Sequence, residues 1–280
     1  MDIQWYPGHM TKARRQMQED IKLVDLVIEL LDARIPLSSR NPDIDELAKN
    51  KSRLVILNKA DLADEHANRK WQAYFEEKGI GVILADARKA SSFKTLQAKV
   101  QVVCREKIER DLRRGIKNRP VRAMVAGIPN VGKSTFINSY AGRSVAKTGN
   151  KPGVTKGKQW IRMGKNLELL DTPGILWPKF EDESVGENLS MIGSINDNIL
   201  NIEELAIKLI ECLLKDHPGT LEERYGISDA DTPAEVLYAI GERRGCITKG
   251  AEVSYEKAAN LLMDEFRSGK LGRITLEAAP

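Results

Sequence analysis

Gly127-Ile128-Pro129-Asn130-Val131-Gly132-Lys133-Ser134 follows an apolar run, Val121–Ala126, and leads into a helical pattern. Residues of these types at this spacing, G-x-x-x-x-G-K-[ST] between strand and helix, can hold a chain of phosphates. Glycines let backbone N–H groups curl around phosphate oxygens, and a helix N-terminus adds positive potential. Here the wrapping loop would run through Asn130, Val131, Gly132, Lys133, Ser134 and Thr135. Lys133 supplies a point charge to the β- and γ-phosphates, and the Ser134 hydroxyl suits Mg2+. Average residue frequencies produce the pattern by chance in roughly one chain in a hundred of this length.

Such a loop does not choose between ATP and GTP. Asn58-Lys59-Ala60-Asp61, at the end of an apolar segment, does. A carboxylate at Asp61 can accept both N1–H and the exocyclic amine of guanine, a donor pair that adenine lacks. Asn58 can reach N7 or a neighbouring loop, and the Lys59 stem can pack on the base plane. A helix N-cap is the plain alternative for Asp61. Asp86-Ala87-Arg88 stands where GTPases place a Ser-Ala-Lys loop whose backbone N–H meets guanine O6; only Ala87 matches. Asp171-Thr172-Pro173-Gly174 fits D-x-x-G, with Asp171 on Mg2+ through water and the Gly174 N–H on the γ-phosphate. An ordinary turn is the alternative there. Thr155, in Gly153-Val154-Thr155, offers a hydroxyl to Mg2+ and a lid over the γ-phosphate. Its glycine- and lysine-rich surroundings, 147–158, suit a loop that orders on binding.

These groups need a scaffold that brings them to one place. Alternating patterns predict strands at Val24–Leu31, Arg53–Leu57, Gly81–Ala85 and Val121–Ala126, then a hairpin of Lys158–Met163 and Leu167–Leu170 turning near Gly164. Helical patterns run from Met10 to Ile21, over Asp43–Asn50, near Ala67–Lys78, across Ser92–Arg114 as one crossover, and onward from Lys133. The alternation predicts an α/β fold, a mostly parallel sheet with helices on both faces, over residues 1–181. After about Glu181 only helical periods remain: Ile202 to Leu214, stopped by Pro218-Gly219, then Ala234–Arg244 and Tyr255–Arg267. Residues 182–280 therefore read as a small all-helical domain.

Composition sets bounds. A chain of 280 residues, 41% hydrophobic and 30% charged, suits a globular protein of one large and one small domain. No run approaches the ~18 apolar residues that span a bilayer. The first residues lack the basic and apolar regions of a secretion signal. Cys104, Cys212 and Cys246 lie far apart, as reduced cytosolic thiols do, and each reads as a small buried hydrophobe. A cytoplasmic monomer without membrane attachment is expected. Net charge is only +4, but Arg105–Arg122 holds eight basic residues against three acidic ones, and Lys12, Arg14 and Arg15 form a second cluster. Such clusters favour a phosphate backbone, with a solvated helix face as the alternative.

Motif order is the discriminating feature. GTPases commonly run P-loop, threonine, D-x-x-G, N-K-x-D; here Asn58 precedes Gly127 by about seventy residues. A pocket depends on where strands lie in space, so circular permutation can preserve it. With Trp5-Tyr6-Pro7-Gly8-His9-Met10, Asp32-Ala33-Arg34-Ile35-Pro36 and the helical tail, the permuted order resembles the ribosome biogenesis GTPase A family, the YlqF/RbgA type, over essentially the whole chain. The resemblance implies a cytoplasmic, circularly permuted P-loop GTPase with a helical RNA-binding domain, acting late in large (50S) subunit assembly. Its implied partners are a large-subunit precursor and rRNA, with no DNA. A rival from another class is a GTP-regulated RNA-binding module in which hydrolysis has little part.

Ile175 follows D-x-x-G, where Ras-like enzymes carry a water-orienting glutamine, so turnover should be slow until a partner arrives. His9, a flexible imidazole beside Pro7-Gly8, is the catalytic candidate, and the resemblance points to the same residue; a surface or RNA-contacting histidine is the alternative. His66 and His217 lie next to helix ends and read as structural or solvent-facing. Related GTPases with asparagine at the Asn130 position use it to help hold K+, the alternative being a loop-stabilising side chain. Arg34 and Arg40 could contact phosphate or rRNA.

Overall fold

The computed structural model describes residues 15–144, 159–171, 182–197, 201–228 and 232–280. Leu26–Asp32 (β1) is buried along its whole length, as a strand covered on both faces must be. It pairs in parallel with Ser52–Asn58 (β2), which pairs with Gly81–Leu84 (β3). On its other side lies Val121–Ala126 (β4), then Leu167–Asp171 (β6), with Gln159–Met163 (β5) antiparallel at the edge. The sheet order is β3-β2-β1-β4-β6-β5. The β5–β6 hairpin turns with Gly164 at φ +69°.

Register decides which residues meet. Asp32 pairs with Asn58, and Val125 with Asp171, so the carboxyl ends of β1, β2, β4 and β6 share one rim with that of β3. From β1 the chain proceeds outward to β2 and β3; from β4 it proceeds the other way. The crevice between β1 and β4 is thus a topological switch point, where open α/β sheets bind ligands.

Residues 15–21 (α1) and Asp43–Leu47 (α2) cover one face through Met17, Ile21, Ile44 and Ala48 against Val27 and Met124. Glu65–Glu77 (α3) lies farther along the same face, with Trp71 and Phe75 four apart packed on Leu31, Val55 and Leu57. Asp64 caps α3, accepting from the Ala67 N–H at 2.7 Å. The crossover is not one helix. It divides into a 3-10 turn, Ala90–Phe93, then Leu96–Val103 (α4) and Arg105–Arg113 (α5). The Ser92 hydroxyl accepts from the Asp86 N–H, and β-branched Val100, Val102 and Val103 weaken the helix just before Cys104 leaves helical geometry at φ −100°, ψ 12°. Lys133–Ala141 (α6) follows β4, its Phe136 edge-on to Phe93.

Asp182–Leu276 forms a compact unit of its own. It holds Glu183–Met191 (α7), Ile202–Asp216 (α8), Thr220–Tyr225 (α9), Pro233–Arg243 (α10) and Tyr255–Arg267 (α11). Local signals define its helix starts: Asn201 and Ser254 as N-caps, and a Thr232/Glu235 capping box with Pro233 in the first turn. A Cβ on Gly241 would come within 2.5 Å of Val253, so glycine permits this close approach beside α10. The last four residues, Glu277–Pro280, group with the α/β unit instead. Trp71 Nε1 donates to Glu277 O at 3.0 Å, the Glu277 carboxylate accepts from the N–H groups of Leu37 and Ser38 at 2.8 and 2.9 Å, and Ala279 joins the Trp71 cluster. Four residues carry no periodic signal, so the pattern alone could not detach them from the helices.

Candidate functional site

Between β4 and α6 the backbone passes through two left-handed residues, Asn130 at φ +59° and Gly132 at φ +102°. Such a turn points successive N–H groups into one concavity. Glycine is required at both ends of it. A Cβ on Gly127 would lie 2.7 Å from Leu30 O, and one on Gly132 would lie 2.6 Å from Asn58 Nδ2. Lys133 is buried, and its Nζ donates back to Gly127 O at 3.0 Å, holding the cation over the loop's own mouth. Ser134 and Thr135 follow in the first turn of α6, half-buried.

Asn58 ties this loop to the neighbouring ones. Its Nδ2 donates to Val131 O at 2.7 Å, and its Oδ1 accepts from the Ala87 N–H at 2.8 Å. Of the two roles open to it in the sequence, the geometry is that of a brace between loops. Lys59 adopts φ +57°, and its ammonium lies 2.9 Å from Asp32 Oδ2. Two positions on, Asp61 accepts from Arg88 Nη2 at 2.7 Å on Oδ2, while its Oδ1 is buried with no hydrogen-bond partner. A buried orphan acceptor demands a donor, and guanine's edge supplies two. The concavity and this carboxylate thus fit a guanine nucleotide, and the hydroxyl at Ser134 fits the hard-cation chemistry of Mg2+.

Asp32 and Arg34 emerge as site-supporting residues. Arg34 Nε and Nη2 grip Asp32 at 2.9 and 2.8 Å, and its N–H adds a third bond at 3.1 Å. Burial by itself would push the Asp32 carboxyl up, but the charges and hydrogen bonds of Lys59 and Arg34 hold it well below the usual carboxylate range. Arg34 is 1% exposed on Asp32, and Arg40 is bound to buried Glu29 at 2.9 Å and to Asp45, so both cations are engaged by carboxylates of the α/β unit. Asp86 repeats the arrangement with Arg88: Nε at 2.8 Å, Nη2 at 3.0 Å and N–H at 3.0 Å. Hydrogen bonds from Arg88 hold the Asp86 carboxyl below its ordinary value and raise the guanidinium in turn. The repeated Asp-Ala-Arg, once at the end of β1 and once after β3, was a readable signal for both pairs.

Asp171 closes β6 beside Val125 of β4, at the same rim. His9, Thr155 and Gly174 lie outside the described residues, as do Lys12 and Arg14. The basic stretch on α5 and beyond divides. Lys107 is buried on Asp25 and Asp111, and Arg122 pairs with Glu168 while lying over Trp160; Arg110, Arg113, Arg114 and Lys117 stay exposed. His217 Nε2 lies 3.0 Å from Thr275 O, a structural role. Cys104 is buried; Cys212 and Cys246 are only partly so. No helix among the described residues is long and apolar enough to cross a membrane.

Residues 122–217 match the family model described as a 50S ribosome-binding GTPase. The chain is 50% identical over 278 residues to ribosome biogenesis GTPase A of Bacillus cereus, covering 99% of this chain and 94% of that one. It is 30% identical to the protein of that name from Thermotoga maritima, over 98% and 94%. The fold is similar to that of GNP-bound YlqF from T. maritima, with a TM-score of 0.70 at 28% identity, covering 96% of this chain and 98% of that one.

Proposed function

The chain belongs to the ribosome biogenesis GTPase A family, and from that premise we propose that it is a GTP-driven assembly factor for the large (50S) ribosomal subunit. On this reading it associates with the precursor in one nucleotide state and leaves in the other. The single observation that supports it most is the brace at Asn58, which joins the phosphate loop through Val131 and the base-side loop through Ala87.

In the proposed cycle, N–H groups from Asn130 to Thr135 wrap the phosphates and Lys133 leaves Gly127 O for the β- and γ-phosphates. Asp61 reads N1–H and the 2-amine of guanine, the Lys59 stem packs on the base, and the Ala87 N–H, which donates to Asn58 Oδ1, is shared with O6 when the base arrives. Ser134 and Thr155, with Asp171 through water, would hold Mg2+, which supplies positive charge to the triphosphate. Gly174 N–H senses the γ-phosphate. Asn130, exposed at the loop's crest, would help hold K+ there. His9 orients or deprotonates the attacking water, because Ile175 carries no group that can. Turnover is therefore slow in the free protein and rises on the large subunit. Exposed Arg110, Arg113, Arg114 and Lys117 supply cations for rRNA, and the protein acts in the cytoplasm as a monomer.

Single-turnover GTP hydrolysis with and without large subunits tests the central statement. Stimulation is expected; equal rates would leave a GTP-regulated RNA-binding protein instead. Co-sedimentation with large subunits should differ between GDP and a non-hydrolysable GTP analogue.

A further inference from the structure

The motif Asn58-Lys59-Ala60-Asp61 is flanked on both sides by the same local device. Asp32-Ala33-Arg34 at the end of β1 and Asp86-Ala87-Arg88 after β3 each fold so that the arginine grips its own aspartate through Nε, Nη2 and the backbone N–H. Each fork then reaches one residue of the motif between them. On the β1 side, Asp32 Oδ2 takes the Lys59 ammonium at 2.9 Å; on the β3 side, Arg88 Nη2 takes Asp61 Oδ2 at 2.7 Å.

The two forks differ in one respect. The Asp32–Arg34 pair is sealed in the interior, whereas the Arg88 side chain is 68% exposed. An exposed ion pair contributes little to folding, since water screens it and two side chains must be immobilised. What a guanidinium does well at such a place is fix direction. Its planar donors are set by the bidentate grip of Asp86, so a further donor aimed at Asp61 arrives along a defined line. A carboxylate oxygen has two lone pairs, so Oδ2 can serve Arg88 and still accept from a ligand. Oδ1, buried and without a partner, is the second acceptor. Guanine presents two parallel donors on its Watson–Crick edge, and both need the Asp61 plane held still.

We infer that Arg88, itself oriented by Asp86, is a positioning residue for guanine recognition, locking the Asp61 carboxylate so that it faces both donors of the base. This rests on the reading of Asp61 as the base-recognising residue. It also accounts for Asp86-Ala87-Arg88 at the place of Ser-Ala-Lys: the fork needs aspartate before the alanine and arginine after it.

Inosine diphosphate lacks the 2-amine, so the ratio of GDP to IDP affinity reports how well Asp61 holds two donors rather than one. Calorimetric titration of the full chain with each nucleotide is the test, on wild type, Arg88→Ala, Arg88→Lys and Asp61→Asn. Both Arg88 variants should lower the GDP:IDP ratio by about fivefold, with lysine no better than alanine because a point charge cannot make the fork. Asp61→Asn should abolish the preference. A wild-type ratio in Arg88→Ala, with the ratio lost in Asp61→Asn, would overturn the role of Arg88 alone. An unchanged ratio in Asp61→Asn would remove the guanine reading of Asp61 and the Arg88 proposal with it.

Discussion

Asn58 and Val131 stand 73 positions apart, yet the amide of one donates to the carbonyl of the other across 2.7 Å. That bond fastens the base-side loop to the phosphate loop, and with the Ala87 N–H on Oδ1 it leaves both ends of a buried amide satisfied. Their order along the chain is a product of permutation; their proximity comes from β2 and β4 pairing in parallel on either side of β1, which brings their carboxyl ends to one rim.

Removing that brace should damage stability and nucleotide binding together. Asn58→Ala would strand Val131 O and the Ala87 N–H, costing about 2 kcal/mol in chemical denaturation. GDP affinity should fall about tenfold or more by calorimetry. Gly132→Ala should do the same from the other side, because its Cβ would meet Asn58 Nδ2 at a φ of +102°. Normal affinity in both variants would refute the brace.

The helical unit should weaken in acid through Glu265. Hydrogen bonds from Arg224, working against burial and aided by Tyr225, hold this carboxyl down to about 2 from an ordinary 4.5. Its stabilisation is complete above the unfolded value near 4.5 and is lost as pH falls through about 2. Glu265→Gln should cost about 2 kcal/mol at neutral pH, with the gap to wild type closing across that window. A constant gap in pH-dependent urea melts would show the charge to be irrelevant.

Deleting Glu277–Pro280 should loosen the α/β unit, not the helices. Trp71 Nε1 would lose its acceptor, and Leu37 and Ser38 would lose the carboxylate on their N–H groups. A loss of about 2 kcal/mol and a red-shifted Trp71 emission are expected in denaturation followed by fluorescence. Glu277→Ala should lose the carboxylate bonds and keep the indole bond, giving a smaller effect.

His9→Ala should lower subunit-stimulated single-turnover hydrolysis by about a hundredfold while GTP affinity stays near normal. Parallel losses in rate and affinity would make His9 a binding or structural residue. Turnover in K+ should exceed turnover in Na+ at equal ionic strength; equal rates would take the monovalent ion, and Asn130 with it, out of the mechanism.

Local chemistry wrote itself into the sequence. Strand Val121–Ala126, the start of α6 and helix Tyr255–Arg267 stand where burial period and capping residues put them. The helical crossover was misread because its breaks depend on Ser92 bonding Asp86 and on Cys104 packing inward, which are contacts rather than patterns. Arg34 and Arg40 looked like free cations for the same reason: charge is visible in a sequence, but Asp32 and Glu29 as their buried partners are not.

By itself the sequence determined the chemical parts: a P-loop, an Asn-Lys-Ala-Asp tetrapeptide, their permuted order and a helical remainder. The tertiary structure decided how those parts constrain one another. It made Asn58 a brace, set an Asp-Ala-Arg fork on either side of the guanine motif and returned the last four residues to the α/β unit. Residue type and spacing govern which bonds a segment can make, because they set its donors, acceptors and period. Which bonds it does make depends on the neighbours that parallel register delivers, and those come from elsewhere in the chain.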